Sequence, residues 1–181
     1  MPKSRVLPMR LNPFGLTIPD FWNNQVPKYE SKNYGTMVVD LIWNPKYGRA
    51  IEQISAKRAA NRWNNYVSPI ELERVKAKLT SKGEASIRFG AEKTGHGYSG
   101  ERGDFCLVGG VIKGKNLALF YRSLELIGGF AYDLTLINGL GDNLGIKLNL
   151  VTIYTCKAFT FALKGNSNEK LYPKLQTIFK T

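Results

Sequence analysis

Residues 117–133, which read LALFYRSLELIGGFAYD, decide the fold that we predict for this chain. They begin as an apolar strand that ends at Arg122-Ser123, and Asp133 lies in the apolar run that follows. Residues 123–140 are so apolar that the helix they predict has no polar face. Because a helix that is apolar all round is normally buried, we expect it to form the centre of the domain.

Signals for strands and helices surround this stretch. Ser68, followed by Pro69 and by Glu71, predicts the first turn of a helix that ends at Lys82-Gly83. Runs of β-branched and apolar residues predict strands at 36–43, 84–89, 105–112, 117–121, 148–154 and 171–179, and helix-forming residues predict another helix at 50–61. We therefore predict an α+β domain over residues 36–181, preceded by an extended arm over residues 1–35 that its aromatic rings anchor.

The composition is that of a folded protein with a basic surface. Apolar residues make up 43% of the 181 residues, and the formal net charge is +12. This charge favours nucleotides, phosphates or nucleic acid as partners, although a basic face that only aids solubility would give the same composition. No apolar run reaches the roughly 20 residues that span a bilayer, and the N-terminus lacks a signal-peptide core. We therefore expect no membrane contact and a cytoplasmic protein, in its own cell or in a host cell.

Metal-binding residues are scarce. The chain contains Cys106, Cys156 and a single histidine, His96, and none has the spacing of a metal motif. We expect no metal and no disulfide framework. Cys156 lies in an apolar strand, where a small buried residue is the favoured interpretation.

The segment before Cys106 contains three weak local motifs. The glycine-rich residues 93–100 could wrap a phosphate, but the P-loop spacing is absent and a surface loop is favoured. Glu101 and Asp104 could hold the metal of a small nuclease, although solvated loop acids are favoured because the expected lysine is missing. His96 could be a general base, but no nucleophile accompanies it in the sequence.

The stretch that ends at Asp133 resembles the signature of thymidylate synthases and of the related pyrimidine-nucleotide hydroxymethylases. That signature is a strand ending in Arg-Ser, then an acid, a glycine, and an asparagine that opens a long buried helix. The matching positions hold Arg122, Ser123, Glu125, Gly128 and Asp133.

Other segments resemble the same family in the same chain order, so that the resemblance covers roughly residues 44–178. They are Tyr47-Gly48, the helix at 70–79, Asp104-Phe105 in place of a Gln-Phe pair, Thr152-Ile153-Tyr154 in place of His-Ile-Tyr, and Tyr172-Pro173-Lys174-Leu175. The resemblance implies an α+β fold of the thymidylate synthase type, with a mixed sheet and a long buried central helix, and it implies a homodimer.

The family resemblance also implies roles for individual residues. Arg122 and Ser123 would bind the nucleotide phosphate, and Tyr154 would contact the sugar. Asp104 and Arg88 would complete the substrate site, Arg88 being the one arginine near the position from which the family reaches the partner's phosphate site. Tyr47 and Glu125 would belong to the catalytic machinery.

Asp133 stands where thymidylate synthases have asparagine. A carboxylate can only accept hydrogen bonds unless it is protonated, so it suits the amino group of cytosine. The resemblance to cytidylate hydroxymethylases implies the same preference. The alternative is a helix N-terminal aspartate with no role in binding, since the helix dipole favours one there.

The nucleophile is displaced from its position in the family. No Pro-Cys-His stretch is present, and counting back from Asp104 places Ser99 at the nucleophile's position. A serine hydroxyl is too weakly acidic to add to a pyrimidine without a base, so Cys106 is the candidate nucleophile. A buried strand residue is the competing interpretation of Cys106.

The leading functional prediction is methyl or hydroxymethyl transfer to C5 of a pyrimidine nucleoside monophosphate, with cytidylate preferred. Methylene-tetrahydrofolate is the carbon donor that the resemblance implies, although the chain is short in the segments that hold it. The alternative prediction is a non-catalytic relative that binds nucleotides or nucleic acid through its basic surface.

Overall fold

In the computed structural model, the described residues are 9–25, 32–90, 106–161, 163 and 168–180. They form six helices and seven strands. In chain order these are β1 (Met9–Thr17), α1 (Ile18–Gln25), β2 (Lys32–Ile42), α2 (Pro45–Ile54), α3 (Ala56–Tyr66), α4 (Pro69–Lys82), β3 (Glu84–Arg88), β4 (Leu107–Lys113), β5 (Asn116–Tyr121), β6 (Leu124–Glu125), α5 (Gly128–Leu144), β7 (Leu150–Thr160) and α6 (Tyr172–Phe179).

The strands form one mixed sheet. Its order is β1-β2-β7-β5-β4-β3, and the short strand β6 also pairs with β7. β1 runs parallel to β2, and both β5 and β6 run parallel to β7, while the other neighbours are antiparallel. Tyr121 at the end of β5 lies opposite Leu107 on β4 and Thr155 on β7. The predicted α+β fold with a mixed sheet is confirmed, while the thymidylate synthase type stays a prediction.

Helix α5 is the buried central helix. Phe130, Leu134 and Ile137 are fully buried in it, because nearly every turn faces another part of the core. Helix α2 crosses it closely at Gly48, where a Cβ would collide with the side chain of Asn138 and the carbonyl of Leu134. Glycine at this position therefore sets the distance between the two helices.

The predicted first turn of helix α4 is confirmed. The Oγ of Ser68 accepts a hydrogen bond from the backbone N–H of Glu71 at 3.3 Å, and Pro69 is in the first turn. Gly83 ends the helix with a φ of 71°, and its N–H donates to the Leu79 carbonyl at 2.9 Å. Serine and glycine thus define the two ends of α4 as the sequence indicates.

The described part of the N-terminal segment, which we predicted as an extended arm over residues 1–35 anchored by its rings, packs into the core. It forms strand β1, paired with β2, and helix α1, and β2 begins before residue 36. Phe21 packs edge-on against Phe130 with ring centroids 5.1 Å apart, and Trp22 lies 4.9 Å from the ring of Phe179. Burying two large rings makes this segment a stabilising element of the domain.

Two further predictions of secondary structure are wrong. Residues 171–179, predicted as a strand, form helix α6, in which Leu175 and Phe179 are buried at the four-residue spacing of a helix. The helix predicted at 50–61 is two helices, α2 and α3, separated at Ser55. The Ser55 side chain caps α3 by accepting from the backbone N–H of Arg58 at 3.4 Å.

Candidate functional site

The end of the β4–β5 hairpin brings Cys106 and Ser123 together. The hydroxyl of Ser123 donates to the thiol sulfur of Cys106 at 3.1 Å, and the backbone N–H of Arg122 donates to the Cys106 carbonyl at 2.8 Å. Because the two strands are antiparallel, the residue before β4 must lie beside the residues after β5. The candidate nucleophile is half-buried and adjoins the Arg-Ser pair that we predicted to bind phosphate.

Arg62 on α3 forms an ion pair with Asp133 on α5. Its Nε donates to Oδ1 of Asp133 at 2.6 Å, and its Nη2 lies 2.5 Å from the same oxygen. A third donor, Nη1, bonds the hydroxyl of Tyr66 at 3.3 Å. Asp133 is completely buried. The carboxylate predicted to face a cytosine base is thus covered by a guanidinium.

Burial dominates the electrostatics of this pair. Loss of water raises the pKa of Asp133 above its usual value, while the charge and hydrogen bonds of Arg62 act in the opposite direction. Burial also raises the pKa of Tyr121 well above its usual value, and the nearby Asp133 carboxylate adds to this. Tyr121 and Asp133 lie close enough to shift each other's pKa. The Tyr121 hydroxyl and Oδ2 of Asp133 form no hydrogen bond with each other or with any other group in the described part of the chain. Arg62 is therefore the main support of a buried negative charge.

Tyr66 connects this ion pair to the thiol. Burial raises the pKa of Tyr66, against the lowering effects of the Arg62 charge and of a hydrogen bond from the Cys106 backbone. The guanidinium of Arg62 also lies 4.4 Å from the centroid of the Tyr66 ring. A continuous polar network thus runs from Asp133 through Arg62 and Tyr66 to Cys106 and Ser123.

A groove of about 480 Å³ lies beside this network. One wall is a face of α3 that carries Arg58, Asn61, Arg62 and Asn65, and the opposite wall includes the start of α5. We call this feature the α3 groove. The sequence predictions missed its polar wall, although the signal was present: these four residues have the spacing of one helical face, and α3 contains no acidic residue.

Glu125, predicted to be catalytic, caps helix α5 at the floor of the α3 groove. Its Oε1 accepts from the N–H of Ile127 at 2.9 Å, and its Oε2 accepts from the N–H of Gly129 at 2.8 Å. These bonds satisfy N–H groups that a helix start leaves unpaired. The Glu125 carboxylate therefore stabilises the first turn of α5.

A second, mostly apolar cleft of about 260 Å³ brings Arg122 and Tyr154 together on the other face of the sheet. The Tyr154 ring stacks on Phe120 with centroids 5.2 Å apart, as expected for residues opposite each other on parallel strands. Cys156 also lines this cleft and is exposed, so the prediction of a buried cysteine is wrong. Side chains alternate along β7, and Cys156 follows the buried Thr155.

Two predicted site residues lie away from both clefts. Tyr47 is buried on α2, where its ring centroid lies 5.8 Å from that of Phe179. Arg88 is exposed at the end of the edge strand β3, with its N–H donating to Glu71 at 2.7 Å and its Nη2 3.5 Å from the same carboxylate. Thr152, in place of the family's histidine, donates to Asp40 at 2.7 Å. Core packing accounts for the position of Tyr47, an ion pair for that of Arg88, and a hydrogen bond for that of Thr152.

The predictions at His96, Ser99, Glu101 and Asp104 fall outside the described residues. Among the residues that the structure describes, no group of three or more potential metal ligands occurs. None of the described helices combines the length and the apolar character needed to span a bilayer.

Comparison with known proteins finds neither a matching family model nor a matching curated protein. The resemblance of residues 117–133 to the thymidylate synthase signature therefore stays a prediction from the sequence.

Proposed function

We propose that the protein transfers a methyl or hydroxymethyl group to C5 of a pyrimidine nucleoside monophosphate, with cytidylate preferred over uridylate. The observation that carries the proposal is the 3.1 Å contact between the Ser123 hydroxyl and the Cys106 thiol, directly beside Arg122. It supports a site in which a nucleophile and a phosphate-binding pair are within reach of one nucleotide. Arg122 also lines the cleft of Tyr154 on the other face of the sheet, so a nucleotide read by Asp133 would have the phosphate contact of Arg122 but not the sugar contact of Tyr154.

The reaction begins with addition of the Cys106 thiolate to C6 of the pyrimidine, which places an electron pair at C5. C5 then bonds to an electrophilic one-carbon unit, the C5 proton leaves to a base, and the C6–S bond breaks to restore the ring and the thiolate. The hydroxyl of Ser123 donates to the sulfur and so fixes the position of the attacking atom.

Methylene-tetrahydrofolate is the carbon donor in this proposal. Its pterin ring presents adjacent N–H donors, which a carboxylate complements. Glu125 is the carboxylate that lines the α3 groove, and both of its oxygens already accept N–H groups of α5. Each oxygen keeps a second lone pair, so Glu125 would still be able to accept from the pterin ring.

The preference for cytidylate rests on Asp133. Its carboxylate accepts the amino group of cytosine only when Arg62 moves away from Oδ1, because the side chain is buried beneath that guanidinium. Arg62 keeps 22% of its side chain exposed and so has room to leave.

A homodimer, joined through the exposed face of the sheet, is part of the proposal. Ile42, Val108, Val111, Phe120 and Tyr154 are each between 39% and 48% exposed. Large apolar side chains that stay exposed on one face of a sheet are common at interfaces. Light scattering during gel filtration tests this: a dimer that Val111→Glu converts to a monomer is expected, and a monomeric wild-type protein contradicts it.

Tritium release from C5-labelled dCMP tests the reaction without knowledge of the donor, because addition of a thiolate to C6 makes the C5 hydrogen exchangeable. We expect release by the wild-type protein and none by Cys106→Ser. Release that survives Cys106→Ser removes this thiol from the mechanism.

A second candidate function is nucleotide binding without catalysis. The ion pair between Arg62 and Asp133 favours it, because the base-reading carboxylate is already engaged. Tight binding of dCMP together with no tritium release would establish this alternative.

A further inference from the structure

The α3 groove contains one cation, Arg58, that pairs with no acid in the described part of the chain, whereas the second arginine, Arg62, is paired with Asp133. Arg58 is exposed, forms no ion pair with the described residues, and has its guanidinium 6.0 Å from the centroid of the Tyr132 ring. Helix α3 contributes no carboxylate, and Glu125 is held by two N–H groups. Arg58 is therefore the position in the groove where an anion can bind, while the Glu125 carboxylate is turned toward the N–H groups of α5.

Two aromatic rings give the groove flat surfaces. Phe161, just after β7, is 48% exposed and lines the groove, and it packs edge-on against Phe159 with centroids 5.0 Å apart. This contact orients the Phe161 ring, about half of which stays exposed to a ligand. Tyr132 provides a second ring beneath Arg58.

Asparagine amides complete the lining. Asn61 and Asn65 are exposed one helical turn apart on the α3 wall. An amide both donates and accepts, which suits the edges of nucleobases. An unpaired cation at Arg58, an exposed ring at Phe161 and amides in one groove are the combination that binds single-stranded nucleic acid.

We propose that the α3 groove binds single-stranded nucleic acid, with a phosphate at Arg58 and a base stacked on Phe161. A paired duplex cannot use the ring, since its bases are already stacked. An acidic peptide would use Arg58 and the amides but would leave the Phe161 ring without a stacked base. The net charge of +12 fits a polyanion longer than one nucleotide. This binding activity does not depend on the proposed reaction at Cys106.

Fluorescence anisotropy tests the inference with a labelled single-stranded DNA of about 12 nucleotides, a length within the range of known single-strand sites. The same sequence as a duplex, and unlabelled dCMP as a competitor, are the comparison ligands. Arg58→Gln and Phe161→Ala are the test variants. Lys78→Gln is the matched control, because Lys78 is an exposed cation on α4 that lines a separate cleft.

We expect wild-type protein to bind the single strand more tightly than the duplex. Arg58→Gln should lower the slope of log affinity against log salt by about 0.7, the share of one phosphate contact on a single strand. Phe161→Ala should weaken binding at least about fivefold, the lower end for loss of one stacked base, with an unchanged slope. Lys78→Gln should behave as wild type.

Equal losses in Arg58→Gln and Lys78→Gln would overturn the inference, because binding would then depend only on total charge. Tighter binding of the duplex, or no binding of either DNA, would overturn it as well. Thermal unfolding of each variant shows whether its fold is intact. Tritium release from dCMP, measured on the same variants, separates failure of this inference from failure of the proposed reaction.

Discussion

The guanidinium of Arg62 closes over the carboxylate of Asp133, with Nε 2.6 Å and Nη2 2.5 Å from the same oxygen. Asp133 is fully buried on the central helix, whereas Arg62 is partly exposed on α3. A buried charge without a partner is strongly unfavourable, so this contact fastens α3 to the core. It also joins the α3 groove to the site at Cys106, through Tyr66.

Arg62→Met is expected to lower the free energy of unfolding by about 3–5 kcal/mol, the usual cost of leaving a buried charge unpaired. Arg58→Met, one turn earlier on the same helix, should change it by no more than about 0.5 kcal/mol because Arg58 is exposed. Urea denaturation measures both values. Equal effects of the two substitutions would show that the ion pair does not stabilise the domain.

The cost of Arg62→Met should depend on pH. Burial raises the pKa of Asp133 in the folded protein above its value in the unfolded chain. The free energy of unfolding therefore falls as pH rises from the pKa of Asp133 in the unfolded chain to its pKa in the folded protein. Loss of Arg62 raises the pKa of Asp133 in the folded protein further. The difference between wild type and Arg62→Met should be largest above the folded pKa and should shrink in acid, where Asp133 is neutral. In an Asp133→Asn background the difference should not vary with pH in this way.

Glu71 should give the opposite pH dependence. Hydrogen bonds from Arg74 at 2.6 and 2.7 Å are the largest cause that lowers the pKa of Glu71, to about 2. A lowered pKa stabilises the fold above the unfolded pKa of about 4.5, and this stabilisation disappears as pH falls through 2. Glu71→Gln should thus be less stable than wild type at neutral pH and equal to it near pH 2. Glu73→Gln, at an exposed pair with Lys76, is the control and should show little change.

Local patterns in the sequence predicted the parts of the fold that depend on neighbours along the chain. The cap at Ser68, the end at Gly83 and the apolar run of α5 each carry their own signal. Contacts between distant segments have no such signal in the local sequence. Arg62 and Asp133, for example, are 71 residues apart in the chain. The polar wall of the α3 groove could be recognised from the sequence as one face of a helix. The sequence gives no sign that the start of α5 forms the opposite wall.

The errors at α6 and Cys156 have different physical causes. Residues 171–179 mix apolar and β-branched residues, and burial of Leu175 and Phe179 at helical spacing decided in favour of the helix. At Cys156, apolar neighbours indicated burial because a sheet is usually covered on both faces when its residues are apolar. The face that carries Tyr154 is exposed in this chain, so apolar character there does not mean core.

The two thiols should differ in reactivity. Cys156 is exposed, whereas Cys106 is half-buried and accepts a hydrogen bond from Ser123 at 3.1 Å. A disulfide reagent such as DTNB should therefore modify Cys156 first, and Cys156→Ser should remove the fast phase while leaving the slow one. Nucleotide binding at Arg122 would cover Cys106. Saturating dCMP should therefore slow the modification of Cys106 by DTNB, which is the one phase left in Cys156→Ser. Inorganic phosphate is the control for ionic strength. A slow phase that dCMP leaves unchanged would mean that the nucleotide binds elsewhere and that Cys106 is not its nucleophile.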